Sequence, residues 1–148
     1  IMEEQRRWDD AASAYRQAIK HQQAAFRKAS SVARYRIFLS KHYFNFGRVL
    51  RQLDQADRAV TVAMARRDLW PRDSDRLFAV AGELAHAIND LNQSDGVGET
   101  SSAQAREYLI ETLEQASDAG YPLDDSILNS EQFSVLKDDE QFLQLVSQ

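Results

Sequence analysis

The chain has no cysteine, and glycine and proline are scarce, with five and two residues among 148. The lack of cysteine excludes disulfide bonds and metal sites built on thiolates. Because glycine and proline are the main breakers of helices, their scarcity leaves long stretches in which helices can form. No apolar run approaches the roughly 18 residues of a membrane-spanning helix. We therefore expect one all-α domain, long enough to bury a sizeable core.

Charge is divided unevenly between the two halves of the chain. Residues 1–72 carry 15 Lys and Arg against 7 Asp and Glu, a net +8, and residues 73–148 carry 3 against 16, a net −13. Such a division is compatible with a nucleic-acid surface, with a surface for a protein partner, or with two halves that attract each other. We favour attraction between the halves, or a division without functional meaning. A nucleic-acid surface is less favoured, because the basic residues are spread over several predicted helices and the acidic half would repel phosphate.

A helix hairpin is predicted over residues 40–71. Its apolar residues recur at helical spacing on both sides of the polar pair Asp54-Gln55. Pro71 ends the second helix, because the residue before a proline is pushed out of the helical region. Gly47 lies inside the first helix, where glycine costs about 1 kcal/mol relative to alanine, so we expect a neighbouring helix to approach closely there. The predicted buried residues are Tyr43, Phe46, Val49, Leu50, Leu53, Ala56, Ala59, Val60, Ala63 and Met64.

This hairpin resembles a tetratricopeptide (TPR) repeat, a 34-residue helix–turn–helix unit with small residues at its tightest helix contact and a proline at its end. Gly47, Ala59 and Pro71 stand at the most diagnostic positions of that pattern. The sequence departs from it at Ala63, where a large aromatic residue is usual, and at Arg66, where a small residue is usual. The resemblance implies an antiparallel helix-hairpin solenoid that serves as a cytoplasmic interaction scaffold.

The hairpin pattern recurs along the chain. Leu77, Ala81 and Leu84 follow 34 residues after Tyr43, Gly47 and Leu50, in a further predicted helix from Ser74 to about Leu91. We expect a fragment of a longer chain, divided into a second helix of a truncated repeat (1–30), a central repeat (31–72), a third repeat (73–120) with a loop insertion at 92–100, and a C-terminal cap (121–148).

Local signals also predict where the helices end. Acidic residues favour the start of a helix, hydroxyl residues favour its N-cap, and glycine favours the residue after its end. The predicted signals are Asp9 and Asp10 at the start of the first helix, Ser31 as the N-cap of the second, Asp73 before the helix that follows Pro71, Ser101 with Gln104 as a capping box, and Gly120 as a C-cap.

A ligand groove is implied by the TPR resemblance, because the first helices of TPR hairpins line a concave surface. Arg34, Lys41 and Arg48 lie seven residues apart and so form one stripe on their helix. The functional interpretation is a groove for an acidic, extended peptide, and the alternative is an ordinary solvated helix face. The predicted groove residues are Lys41, Phe44, Asn45, Arg48, Arg51, Phe78 and His86.

Residues 103–147 carry a second resemblance. The sequences AGYP and LKDDEQFLQLV resemble the C-terminal end of TPR regions in large bacterial proteins, many of which have an N-terminal serine/threonine protein kinase domain. The resemblance implies that this chain is the non-catalytic C-terminal region of such a kinase or of a similar signalling protein. The chain itself has no Gly-rich loop with a following lysine, no HRD and no DFG motif, so we expect no phosphoryl transfer on it.

Other chemistry is sparse in the sequence. His21, His42 and His86 are isolated, without an HExxH motif or a second ligand at helical spacing, so no metal or cofactor is expected. A helical enzyme is the least favoured alternative, since it would need polar residues that converge in a pocket. We expect the partner to be an acidic protein or peptide, or another part of the parent chain, and neither nucleic acid nor a membrane.

Overall fold

The computed structural model describes residues 2–94 and 101–147, which contain helices and no β-strand. The predicted all-α fold is therefore confirmed for these residues. None of the helices in the two ranges is long and apolar enough to cross a lipid bilayer. The chain forms α1 (Met2–Lys28), α2 (Ala33–Gln52), α3 (Ala56–Leu69), α4 (Ser74–Gln93), α5 (Ser102–Asp118), two short 3-10 helices (Asp125–Ile127 and Glu131–Leu136) and α6 (Glu140–Val146).

Each long helix packs on the next one along the chain, from α1 to α5. Helices two apart, α2 with α4 and α3 with α5, make less extensive contacts. The segments that connect α1 to α2, α2 to α3 and α3 to α4 are short, and short connections favour antiparallel packing of neighbouring helices. The centre of the core is α4, which packs on α3, on α5 and on the second 3-10 helix. The predicted Leu77, Ala81 and Leu84 are fully buried there, in one stripe with Val80, Ala85 and Ile88.

The predicted hairpin over 40–71 corresponds to α2 and α3. The turn between them is closed by Asp54, which adopts a left-handed conformation with φ of 56°. Trp70 follows the last residue of α3 and precedes Pro71, as the proline predicts. Of the ten predicted apolar residues of the hairpin, eight are buried, and Leu53 and Met64 are half-buried against the core.

Three of the predicted helix ends are confirmed by hydrogen bonds. Asp73 and Ser101 cap α4 and α5, because their side-chain oxygens accept from the backbone N–H groups three residues later, each at 3.1 Å. The hydrogen bond from the Gln104 backbone N–H to Ser101 Oγ forms one half of the capping box, and the Gln104 side-chain amide donates to Glu107. Gly120 follows α5 with φ of 109°, a conformation that glycine adopts readily.

Two other helix starts were predicted incorrectly. α1 begins at Met2, with glutamates in its first turn, so Asp9 and Asp10 lie inside the helix rather than at its start. Val32, not Ser31, is the residue before α2, and no side chain caps that end. Both errors arise because capping side chains are found near many turns, and the backbone turn decides where the helix begins.

The close approach expected at Gly47 is wrong. A Cβ atom at this position would have no heavy atom within 4 Å, apart from its own helix and chain neighbours. Gly47 instead lines a shallow depression together with the small Ala59 of α3. The other residues that line the depression are Phe44, Arg48, Arg51 and Glu83.

The C-terminal segment, residues 121–147, folds back onto α4 and α5. Its second 3-10 helix packs on α4, and α6 packs on α5. The apolar side chains of Phe133, Leu136 and Phe142 are almost completely buried. The segment therefore covers the last hairpin, as a terminal cap does in a helical repeat protein. Most of the predicted loop at 92–100 lies outside the described residues, which resume at 101 after Ser94.

Candidate interaction face

One face of α2 is exposed along the whole helix, because α1 and α3 cover other sides of it. Residues three or four apart lie on the same side of a helix. The helix contains five Lys and Arg residues and no Asp or Glu. We call this exposed side the α2 face and define it by Arg34, Ile37, Lys41, Phe44, Arg48 and Arg51.

Apolar side chains are unusually exposed on this helix. Ile37 is 38% exposed and Phe44 is 37% exposed, and both belong to the α2 face. Phe38, beside them, is 44% exposed. Within the described residues, these are three of the five large hydrophobic side chains that solvent reaches to this extent. Clustered exposure of this kind is typical of an interaction surface, whereas single exposed apolar residues are ordinary.

Five of the seven predicted groove residues lie on or beside the α2 face. Lys41 and Arg48 are exposed, and Asn45 and Arg51 are half-buried. Three of them, with side chains of α1, line a groove of about 340 Å³ between the two helices. Two of the five cationic side chains of α2, Arg48 and Arg51, therefore border a concave surface. The groove is lined by Trp8, Tyr15, Asn45, Arg48, Val49, Arg51 and Gln52.

Behind the α2 face lies a polar network centred on Arg66 of α3. Arg66 Nε donates to Ser40 Oγ at 2.9 Å, and its guanidinium also donates to the carboxylate of Glu83 on α4. The indole of Trp70 donates to the same Ser40 oxygen at 2.9 Å. The Arg66 guanidinium lies 5.2 Å from the centre of the Phe44 ring, within cation–π range. This Arg66 cluster joins α2, α3 and α4.

The Arg66–Glu83 ion pair is largely removed from water, with 14% and 17% of the two side chains exposed. Burial raises the pKa of Glu83, although the charge and hydrogen bond of Arg66 and the charge of Arg51 act in the opposite direction. Glu83 is the carboxylate that lines the depression beside Gly47. Because Arg66 holds it, its charge is partly compensated, and the α2 face keeps its positive character.

A second link between the halves runs from α3 to α5. The Arg67 guanidinium donates to Thr112 Oγ1 at 3.2 Å and lies 3.7 Å from the carboxylate of Glu111. Arg66 and Arg67 of α3 thus pair with acids of the acidic half. These contacts fit the predicted attraction between the halves, but they use two cations of α3 and none of the exposed cations of α2.

The predicted groove is covered where α4 would contribute to it. The ring of Phe78 stacks on Tyr121, with centroids 4.0 Å apart, and lies 5.4 Å from the ring of Phe133. The side chain of Gln132 occupies the space that a Cβ at Gly82 would fill. His86, four residues after Gly82 on the same side of α4, remains exposed. The C-terminal segment therefore occupies the position where the resemblance places a ligand on α4.

The sequence did not predict a role for Ser40, Arg66 or Glu83 of the Arg66 cluster. One signal was available, since Arg66 stands where the TPR pattern has a small residue. A charged side chain at a buried position requires a partner of opposite charge. Its partner, Glu83, is 17 residues away in sequence, so local periodicity does not reveal the pair.

Comparisons of the chain with protein-family models, with curated proteins and with solved structures found no match. Among residues 2–94 and 101–147, no group of three or more His, Cys, Asp or Glu side chains is arranged to hold a metal ion.

Proposed function

We propose that this chain is a TPR-like protein-interaction module that binds an acidic partner on the α2 face. The observation that carries the proposal is the combination of exposed cations, exposed Ile37 and Phe44, and no carboxylate on the same helix. Cations attract and orient an acidic partner, and the apolar side chains supply the contact area that charge alone does not.

The arrangement of α4 supports this proposal. Its groove positions are covered by the C-terminal segment, through Tyr121, Gln132 and Phe133. Of the predicted groove, the α2 face and the adjoining groove against α1 then remain open to a partner.

The wider context of the module is a further part of the proposal. We assign it to the non-catalytic C-terminal region of a bacterial serine/threonine kinase or a similar signalling protein, on the sequence resemblance of residues 103–147. In that context the module would recruit a substrate or regulator to the parent chain. Sequencing the coding region upstream of Ile1 tests this assignment, and finding no kinase motif there would remove it.

The binding proposal is tested by reversing charge on the α2 face. The double variant Arg48→Glu/Arg51→Glu should abolish binding of a fluorescent peptide of alternating Glu and Leu, measured by anisotropy at low salt, where exposed charges are least screened. The double variant Lys20→Glu/Lys28→Glu is the matched control, because both lysines are exposed on α1 and the change in net charge is the same. Circular dichroism checks that both variants fold. Equal binding by the two variants would exclude the α2 face.

A further inference from the structure

We infer that the partner presents an acidic amphipathic helix that lies along α2. The inference rests on the proposed function, and it names the conformation and side-chain pattern of the partner. Three properties of the α2 face carry it: the spacing of its residues, the order of cationic and apolar side chains, and the lack of carboxylates.

Spacing favours a helix over an extended peptide. The six residues of the α2 face are separated by three, four, three, four and three positions. At about 1.5 Å per residue they span about 26 Å, or roughly 5 Å per step. A bound helix repeats this spacing and stays in register over the whole face. An extended peptide places side chains on one face every 6.8 Å or so, which puts it about 8 Å out of register after five steps.

The order of side chains defines what the partner carries. Ile37 and Phe44 are seven residues apart, and Arg34, Lys41 and Arg48 are also seven apart. A complementary helix therefore has apolar residues one heptad apart, with Asp or Glu at the positions between and beside them. A basic helix would be repelled, because no carboxylate of α2 offsets its cations.

A second copy of this chain matches the face less well. Glu107, Glu111, Glu114 and Asp118 form an exposed acidic stripe on α5 at similar spacing. Within the described residues, no large apolar side chain is exposed on α5 to meet Ile37 and Phe44. Charge alone gives weak contacts between exposed groups. A helix that combines acids with apolar residues fits both features of α2.

The test compares two synthetic 21-residue peptides of identical Leu, Glu and Ala composition. One places leucine at the first position and glutamate at the fourth position of each heptad, and the other is reordered so that its leucine and glutamate residues alternate. With the full chain, the heptad peptide should bind at least about tenfold more tightly by anisotropy, a difference of about 1.4 kcal/mol, and should gain helical circular dichroism on binding.

Two single variants sharpen the test. Ile37→Ser should weaken binding of the heptad peptide about tenfold, whereas Leu143→Ser, equally exposed at 38% but on α6, should change it little. Because both side chains are exposed, neither change should unfold the chain.

Equal or tighter binding of the alternating peptide would overturn the helix inference and leave the acidic-partner function standing. Failure of both peptides to bind would overturn both proposals. Self-association of the chain that disappears in the variant Glu107→Lys/Glu114→Lys would assign the α2 face to a second copy and also overturn the inference. Sedimentation at increasing protein concentration measures that association.

Discussion

α2 and α4 differ at positions that lie 34 residues apart in the chain. The α2 face is open to solvent, whereas the corresponding side of α4 is covered by the C-terminal segment. The difference follows the side chains at those positions, since the cations of α2 are replaced on α4 by small or acidic residues. The corresponding pairs are Lys41 and Asp75, Phe44 and Phe78, Arg48 and Gly82, and Arg51 and Ala85.

Side-chain size at one position explains much of this difference. Gly82 leaves room for the side chain of Gln132, and Phe78 then joins Tyr121 and Phe133 in an aromatic contact. On α2 the long Arg48 stands at the equivalent position and keeps its charge in water. Two helices with similar apolar spacing can therefore differ in exposure because of a few side chains, such as Arg48 on α2 and Gly82 on α4.

The largest effect on stability is expected from breaking the Arg66–Glu83 ion pair, because Arg66 of α3 contacts both α2 and α4. Glu83→Ala leaves the guanidinium of Arg66 without its carboxylate in a largely buried site, and should lower the free energy of unfolding by about 3 kcal/mol or more. Urea denaturation measures the change. A loss below about 1 kcal/mol would mean that water reaches Arg66 freely.

A double replacement is the control for that prediction. Arg66→Met together with Glu83→Leu removes both charges and keeps much of the side-chain volume, so its stability should return to within about 1.5 kcal/mol of the parent chain. If the double variant were as unstable as Glu83→Ala, packing and not the unpaired charge would explain the loss.

Gly82→Arg makes α4 resemble α2 and should displace the C-terminal segment. Overpacking of the long arginine side chain against Gln132 should cost about 1–3 kcal/mol, and the amides of residues 121–136 should exchange faster with deuterium. Gly47→Arg is the matched control, because a side chain there meets open space. Equal effects of the two substitutions would contradict the difference between the two faces.

Gly47→Ala should stabilise the chain slightly. The Cβ meets no atom within 4 Å, and alanine is favoured over glycine inside a helix by about 0.8–1 kcal/mol. The thermal midpoint should rise by a few degrees. A loss of stability would show that another helix does approach α2 at this position.

The smallest expected effect is on the pH dependence of stability. Because burial raises the pKa of Glu83 above its unfolded value, the folded chain takes up this proton more readily than the unfolded chain. The contribution of Glu83 to the free energy of unfolding is therefore fully present below the pKa that Glu83 has in the unfolded chain. It is lost as the pH rises through the pKa that Glu83 has in the folded chain. Relative to Glu83→Gln, the parent chain should therefore become less stable as the pH rises between these two pKa values. A stability difference between the two chains that rises with pH, measured across that window, would contradict the pKa direction.

Local signals in the sequence predicted much of the helical framework. Asp73, Gly120 and Pro71 act on their immediate neighbours, so the helix ends they predict agree with the structure. The buried faces of α2, α3 and α4 also follow from helical periodicity, which depends on each helix alone.

Features that depend on distant residues were not predicted. Gly47 and Ala59 of α3 line the same depression, and no atom of another helix lies within 4 Å of a Cβ at Gly47. The family pattern does not show this space. The cover over Phe78 comes from residues more than 40 positions later in the chain. For the α2 face, the sequence predicted five residues that lie on or beside it but not that α4 would be closed.

Trp70 gives this architecture a built-in optical signal. Its indole is 6% exposed and hydrogen-bonded to Ser40, with the guanidinium groups of Arg36 and Arg76 at 4.4 and 3.7 Å from the ring centre. The indole therefore contacts α2 and α4 at the end of α3. Separation of any of these helices would change the polarity around the indole and so its fluorescence emission. With Trp8→Phe removing the other tryptophan, unlabelled protein would report on this junction during unfolding or binding.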